Sequence, residues 1–152
     1  MRVMFRSFVS LFFLASICLP SQAADRMAAL DEQQLLQLEQ KAEQASPRDQ
    51  CFLYTELVSA MTQLAGQQMR NGDPDRAVAT LQKVAKYAQL IRFSISHDAK
   101  RLKNAEKLMH DTTFRLNQYL HSASYEDQPT VQATLKQLNQ VQTELLTQVF
   151  SH

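Results

Sequence analysis

The chain has 152 residues, 45% of them hydrophobic and 20% charged, with two Gly, four Pro and a formal net charge of +1. That balance excludes collagen-like, cysteine-scaffold and intrinsically disordered chains and leaves room for one domain. Scarce Gly and Pro among abundant Gln, Leu, Ala and Lys point to an all-α protein.

Residues 1–23 read as a cleaved signal peptide. Arg2 and Arg6 form a short basic start, Phe8 to Leu19 is apolar throughout, and Ser21-Gln22-Ala23 supplies the small residues of a cleavage site after Ala23. The apolar run is roughly 18 Å long as a helix, against about 30 Å of hydrocarbon in a bilayer, so it predicts export and no stable membrane anchor after cleavage. A periplasmic or secreted single domain over residues 24–152 is the expectation. Losing Arg2 and Arg6 takes the formal charge from +1 to −1, which gives no electrostatic case for a nucleic-acid partner. Cys51 is then the lone cysteine, without an intrachain partner, and burial is its ordinary fate.

Ser46-Pro47, Asp73-Pro74 and Gln128-Pro129 each interrupt the apolar pattern, and proline suits the first turn of a helix, where its missing N–H costs nothing. Asn71-Gly72 marks a turn ahead of Asp73. The predicted helices run over about 28–45, 48–71, 74–122 and 129–150. Leu35, Leu38, Ala42 and Ala45 stripe the first. Leu53, Leu57, Met61 and Leu64 stripe the second, flanked by Phe52, Tyr54 and Val58. Leu135, Leu138, Val141, Leu145 and Val149 stripe the last.

The third segment carries a stripe from Ala77 through Leu81, Val84, Ala88, Ile91, Ile95, Ala99, Leu102, Ala105, Met109, Thr112 and Leu116 to Leu120. Its mean step is about 3.6 residues, the repeat of a straight helix, and the phase is kept through Phe93-Ser94-Ile95-Ser96. No capping box begins at Ser96, since Ala99 stands where an acidic residue would be needed. One long helix over about 74–122 is therefore predicted, with the second helix antiparallel along its first half and the fourth along its second half. The first helix would cover the groove between the second and third. Counting back from Gly72 sets Cys51 near Ser94, so Cys51, Phe93, His97 and Phe150 should meet at a helix junction. The uncovered flank of the rod would present Phe93, Phe114 and Tyr119 as a contact surface.

Chemistry is thinly represented. Cys51 with His97 lacks a third group to orient the base, so the chain is read as no enzyme. Glu106 and His110 stand at i,i+4, and with Met109 they are the weak candidates for a metal, but no H-E-x-x-H or C-x-x-C accompanies them. No Cys-x-x-Cys-His is present and the last helix has no internal histidine, so no haem or other cofactor is expected. Lys100, Lys103 and Lys107, with Arg101, are diluted by Asp98, Glu106 and Asp111 and read as a solvated face.

Met61 to Ala85 resembles a single tetratricopeptide hairpin. Leu64-Ala65 stands at that family's Leu-Gly pair, Gly72-Asp73 at its turn, and Ala77 and Leu81 at the small and large packing positions of its second helix. The unit does not recur, so the resemblance implies a helical hairpin and no peptide-binding array. Arg101 to His110 and the ending Leu145 to Phe150 are similar to a family of short exported all-helical bacterial proteins without an assigned activity. The composite expectation is a non-enzymatic exported protein acting through helix-mediated contact with a partner protein or with itself. The competing expectation is a periplasmic small-ligand or metal carrier using Met61, Met109 and His110.

Overall fold

The computed structural model describes residues 22–96 and 98–151, with side chains described from Glu32 onward. The predicted signal peptide lies outside these residues except for Gln22 and Ala23, and His97 and His152 also lie outside them. The described chain is all-helical, in five helices: α1 (Gln22–Gln44), α2 (Pro47–Arg70), α3 (Pro74–Ser94), α4 (Leu102–Ser122) and α5 (Gln128–Phe150). Among the described residues no helix is long and apolar enough to cross a membrane.

The prolines act as the sequence predicts. Pro47, Pro74 and Pro129 each sit in the first turn of a helix. Asp73 caps α3 by accepting the Arg76 N–H at 3.3 Å, and Gly72 supplies the positive φ of 76° that the α2–α3 turn requires.

The long third helix is not formed. Residues 95–101 break it: Ile95 turns extended after α3, and Arg101 enters α4 from the left-handed region at φ 60°. Nothing in the local sequence demands this, since the segment contains neither Gly nor Pro. The break is made by tertiary contacts at the start of α2. The Lys100 N–H donates to the Arg48 carbonyl at 2.7 Å, and Arg48 Nε donates to the Asp98 carbonyl at 2.9 Å. Lys100 pairs with Asp49 at 3.3 Å, and the Arg101 guanidinium lies 3.6 Å from the centre of the Phe52 ring.

The reversal lets two hairpins share one core. A left-handed non-glycine residue costs about 1–2 kcal/mol, whereas fully burying one large apolar side chain is worth roughly 1.5–3 kcal/mol. Leu81, Val84, Ile91, Met109, Leu116, Leu138 and Leu145 are all at 0% exposure, so the gain from closing the bundle outweighs the kink.

Around the bundle the order is α2, α3, α5, α4, with α3 and α4 diagonally opposed. Cross-links between helices fix the directions. Thr80 donates to Gln68 at 2.8 Å, so α2 and α3 are antiparallel. Arg101 over Phe52 at one end and Arg70 over Tyr119 at the other make α4 parallel to α2. Arg92 pairs with Glu144 at 2.7 Å, so α5 runs parallel to α3. The α3–α4 connection therefore crosses the end of the bundle on its diagonal. α1 lies outside this square, along α2, and reaches α3 through the Glu32–Arg76 ion pair and the Tyr87 hydroxyl donating to Glu39. It covers the α2–α3 groove, in the place the sequence predicts.

Candidate functional site

One end of the bundle gathers the start of α2, the end of α3, the start of α4 and the end of α5. Cys51 and Ser94 meet there as counting from Gly72 predicts, the thiol fully buried and in hydrogen-bond contact with Ser94. Burial pushes the thiol up to about 11, and the Ser94 contact pulls weakly the other way. A reactive cysteine needs the opposite, an electropositive and accessible setting that favours thiolate. Around it Asp49 is held below the usual carboxylate range by the Ser46 hydroxyl, which donates at 2.6 Å, and by Lys100.

The rest of the predicted junction does not converge as a site. Phe93 is 85% exposed on the outer side of α3 and Phe150 is 77% exposed at the end of α5, so neither packs on Cys51 as core, and His97 lies outside the described residues. The predicted contact flank also divides. Phe114 is 62% exposed, but it stands on α4, diagonally across the bundle from Phe93 on α3. Tyr119 is half-buried with its ring against Gly66 and beneath Arg70, serving the α2–α4 seam. Both predictions assumed one rod with one bare side, and the reversal at 95–101 removes that side.

The weak metal candidates separate as well. Met109 faces the core at 0% exposure, while His110 is exposed on the neighbouring face. His110 Nδ1 is bonded to Gln142 Nε2 at 3.0 Å, and the Oε1 of the same Gln142 accepts from Thr113 at 3.0 Å, so the ring is committed to the α4–α5 seam. Glu106 is half-buried. Among the described residues no three His, Cys, Asp or Glu side chains come together to hold a metal ion.

Two concave surfaces flank α1. Between α1 and the α2–α3 pair runs an open groove of about 370 Å³, floored by Met61 and Leu64 and walled by Leu35 and Leu36, with Glu39 and Lys83 on its rim. On the other side of α1 a second groove of about 240 Å³ is bounded by Leu35, Leu38, Ala60 and Leu64 among glutamines 34, 63 and 67. Two features make these grooves. α1 is tied to α3 by polar contacts at Glu32 and Glu39, and it packs on α2 through the small Ala42 and the half-buried Leu35 and Leu38, leaving Leu36 58% exposed. The sequence placed α1 over the right pair of helices but gave no sign of the grooves.

Comparison of the chain with protein-family models, with curated proteins and with solved structures gives no significant match.

Proposed function

We propose that this is a non-enzymatic, exported helical protein that works by helix-mediated contact with another protein, received along α1. The observation that carries the reading is the pair of apolar-floored grooves flanking a helix that sits outside an otherwise complete four-helix bundle. A side-chain ridge of a partner helix fits such a groove, and Leu36 supplies an exposed apolar anchor at its lip. The charged rim of Glu39 and Lys83 would set orientation more than affinity. Export rests on the basic, apolar and small-residue pattern of residues 2–23. The buried setting of Cys51, which raises its pKa, makes that thiol a poor nucleophile and removes it as a candidate for catalysis.

A photo-crosslinking amino acid placed at Leu36, and in parallel at the exposed Gln118 on α4, tests this in the cell envelope. Formation of a discrete protein adduct from position 36 and none from 118 supports the reading. Equal adducts from both, or none from either, overturns it. The competing carrier reading makes a different prediction, because 370 Å³ is also within the range of small-molecule sites. Native mass spectrometry of protein isolated from the periplasm would then show a stoichiometric added mass.

A further inference from the structure

The core stripe contributed by α3 ends at Ile91 and that of α4 begins at Leu102, eleven residues later. Eleven residues are three turns of an α-helix, and Ile95 and Ala99 fall on the same line between them, both packed against the core. A connection that crosses from one corner of a bundle to the diagonal corner imposes no such phase. The path of the loop, not the helical repeat, sets which side of α4 faces inward. A phase kept across the loop is required only where α3 and α4 are one helix. Residues 95–101, with no Gly or Pro, permit that helix.

Straightening the loop separates no neighbouring pair of helices at the hinge itself, because α3 and α4 stand diagonally opposed in the bundle. It does remove α4 and α5 from α2 and α3, and a second copy of the chain can replace them. With two chains placed hinge to hinge about a twofold axis, each rod gives α3 to one bundle and α4 to the other. The α2–α4 and α3–α5 seams then re-form between copies, including Tyr119 on Gly66 and Arg92 with Glu144. The stripe of each rod faces the other rod along its whole length, which is what an unbroken phase provides.

We propose that the chain also assembles as a domain-swapped dimer in which residues 74–122 form one continuous helix and the α4–α5 hairpin of each copy packs on the α2–α3 hairpin of the other. The monomer is kept closed by contacts at the start of α2: Arg101 over Phe52, Arg48 with Asp98 and Lys100 with Asp49. Those ion pairs are exposed, and Arg101 is held in a backbone region unfavourable to any residue but glycine, so the latch is weak. Short, strained hinges of this kind favour exchange of identical elements between copies. The inference does not depend on what the α1 grooves receive.

Arg101→Ala and Arg101→Gly decide the matter. Both lose the guanidinium, but glycine accepts φ near +60° and disfavours helix, whereas alanine does the reverse. After refolding from denaturant at high protein concentration, light scattering and small-angle X-ray scattering should show the alanine variant as a dimer nearly twice as long as the monomer. Its dimer dissociation constant should lie about a hundredfold or more below that of the glycine variant, since two hinges contribute to each dimer. Equal association by both variants, or an alanine variant that stays monomeric at every concentration, overturns the proposal. A second measurement does not touch the hinge. Arg92→Glu and Glu144→Arg each set like charges against one another in a closed monomer, but a swapped dimer of one chain of each kind joins opposite charges at both seams. Refolding the two together should give the mixed dimer above its statistical share, and a statistical or lower share contradicts the swap.

Discussion

The α2–α3 and α4–α5 hairpins are halves of one bundle, yet they are buried to very different degrees. α2 has thirteen buried residues, and α5, of nearly the same length, has five. The difference is one of neighbours. Among the described residues α2 is enclosed by α1, α3 and α4, whereas α5 meets α3 and α4 alone and turns Asn139, Gln140 and Thr143 to solvent. Hydrophobic patterning follows this: α5 carries a single stripe, while α2 adds Phe52, Tyr54 and Val58 to its main line. A helix apolar on more than one face is central, and the grooves beside α1 open further along it, around Ala60, Met61 and Leu64.

The contrast can be broken most severely in the core of α2. Leu57→Ala should cost about 3–5 kcal/mol in urea unfolding, because a site enclosed on three sides cannot collapse around the void. Leu138→Ala in α5, equally buried, should cost roughly 2–3 kcal/mol, since its outer side is free to relax. Equal costs would mean that enclosure by α1 adds nothing.

Cys51 gives the next largest effect, and its sign follows from its burial. Burial pushes the folded thiol up to about 11 from its ordinary 9.0, so the unfolded chain loses its proton first. Its stabilising contribution is complete below pH 9 and is lost as pH rises toward 11, amounting to about 3 kcal/mol. The wild-type chain should therefore lose more stability between pH 8 and pH 11 than Cys51→Ala. Parallel pH profiles for the two would show that the thiol is solvated.

At the seam between the halves, a Cβ on Gly66 would overlap the Tyr119 ring. Gly66→Leu should displace the ring from the α2–α4 seam and cost roughly 1–3 kcal/mol, with loss of the Arg70 contact visible as a shift of Tyr119 ring resonances. The smallest effect belongs to the α3–α5 seam. Arg92 and Glu144 are both more than a third exposed, so Glu144→Gln should cost less than about 1 kcal/mol, and less still at high salt.

Much of this architecture could be read from particular residues. The three Pro-containing steps located the starts of α2, α3 and α5, Gly72 located the first hairpin, and the pairing of Cys51 with Ser94 followed by counting. The α3–α4 break could not be read, because its causes are distant in sequence: the Arg48 carbonyl, Asp49 and Phe52 pin a segment some fifty residues later. Local signals there favour helix, so a reading confined to periodicity joins α3 to α4. The candidate site suffered from the same error. Phe93 and Phe114 are exposed as expected, but they share a surface only on a rod that the monomer does not form. The grooves along α1 depend on how far that helix stands off α2, which side-chain size at Ala42 and the Glu32 and Glu39 contacts decide and which no spacing rule encodes.

The reversal at residues 95–101 is the feature on which the bundle, its covered and bare hairpins and the swapped assembly all depend. Spin labels at Asp75 and Gln118, measured by pulsed electron resonance on dilute monomer, report it directly. Both positions lie at the same end of diagonally opposed helices, so their separation should be roughly 15–30 Å, from helix spacings of 8–10 Å and the length of the labels. An unbroken helix would hold them about 65 Å apart at 1.5 Å per residue. A single long distance in the monomer would contradict the bundle outright.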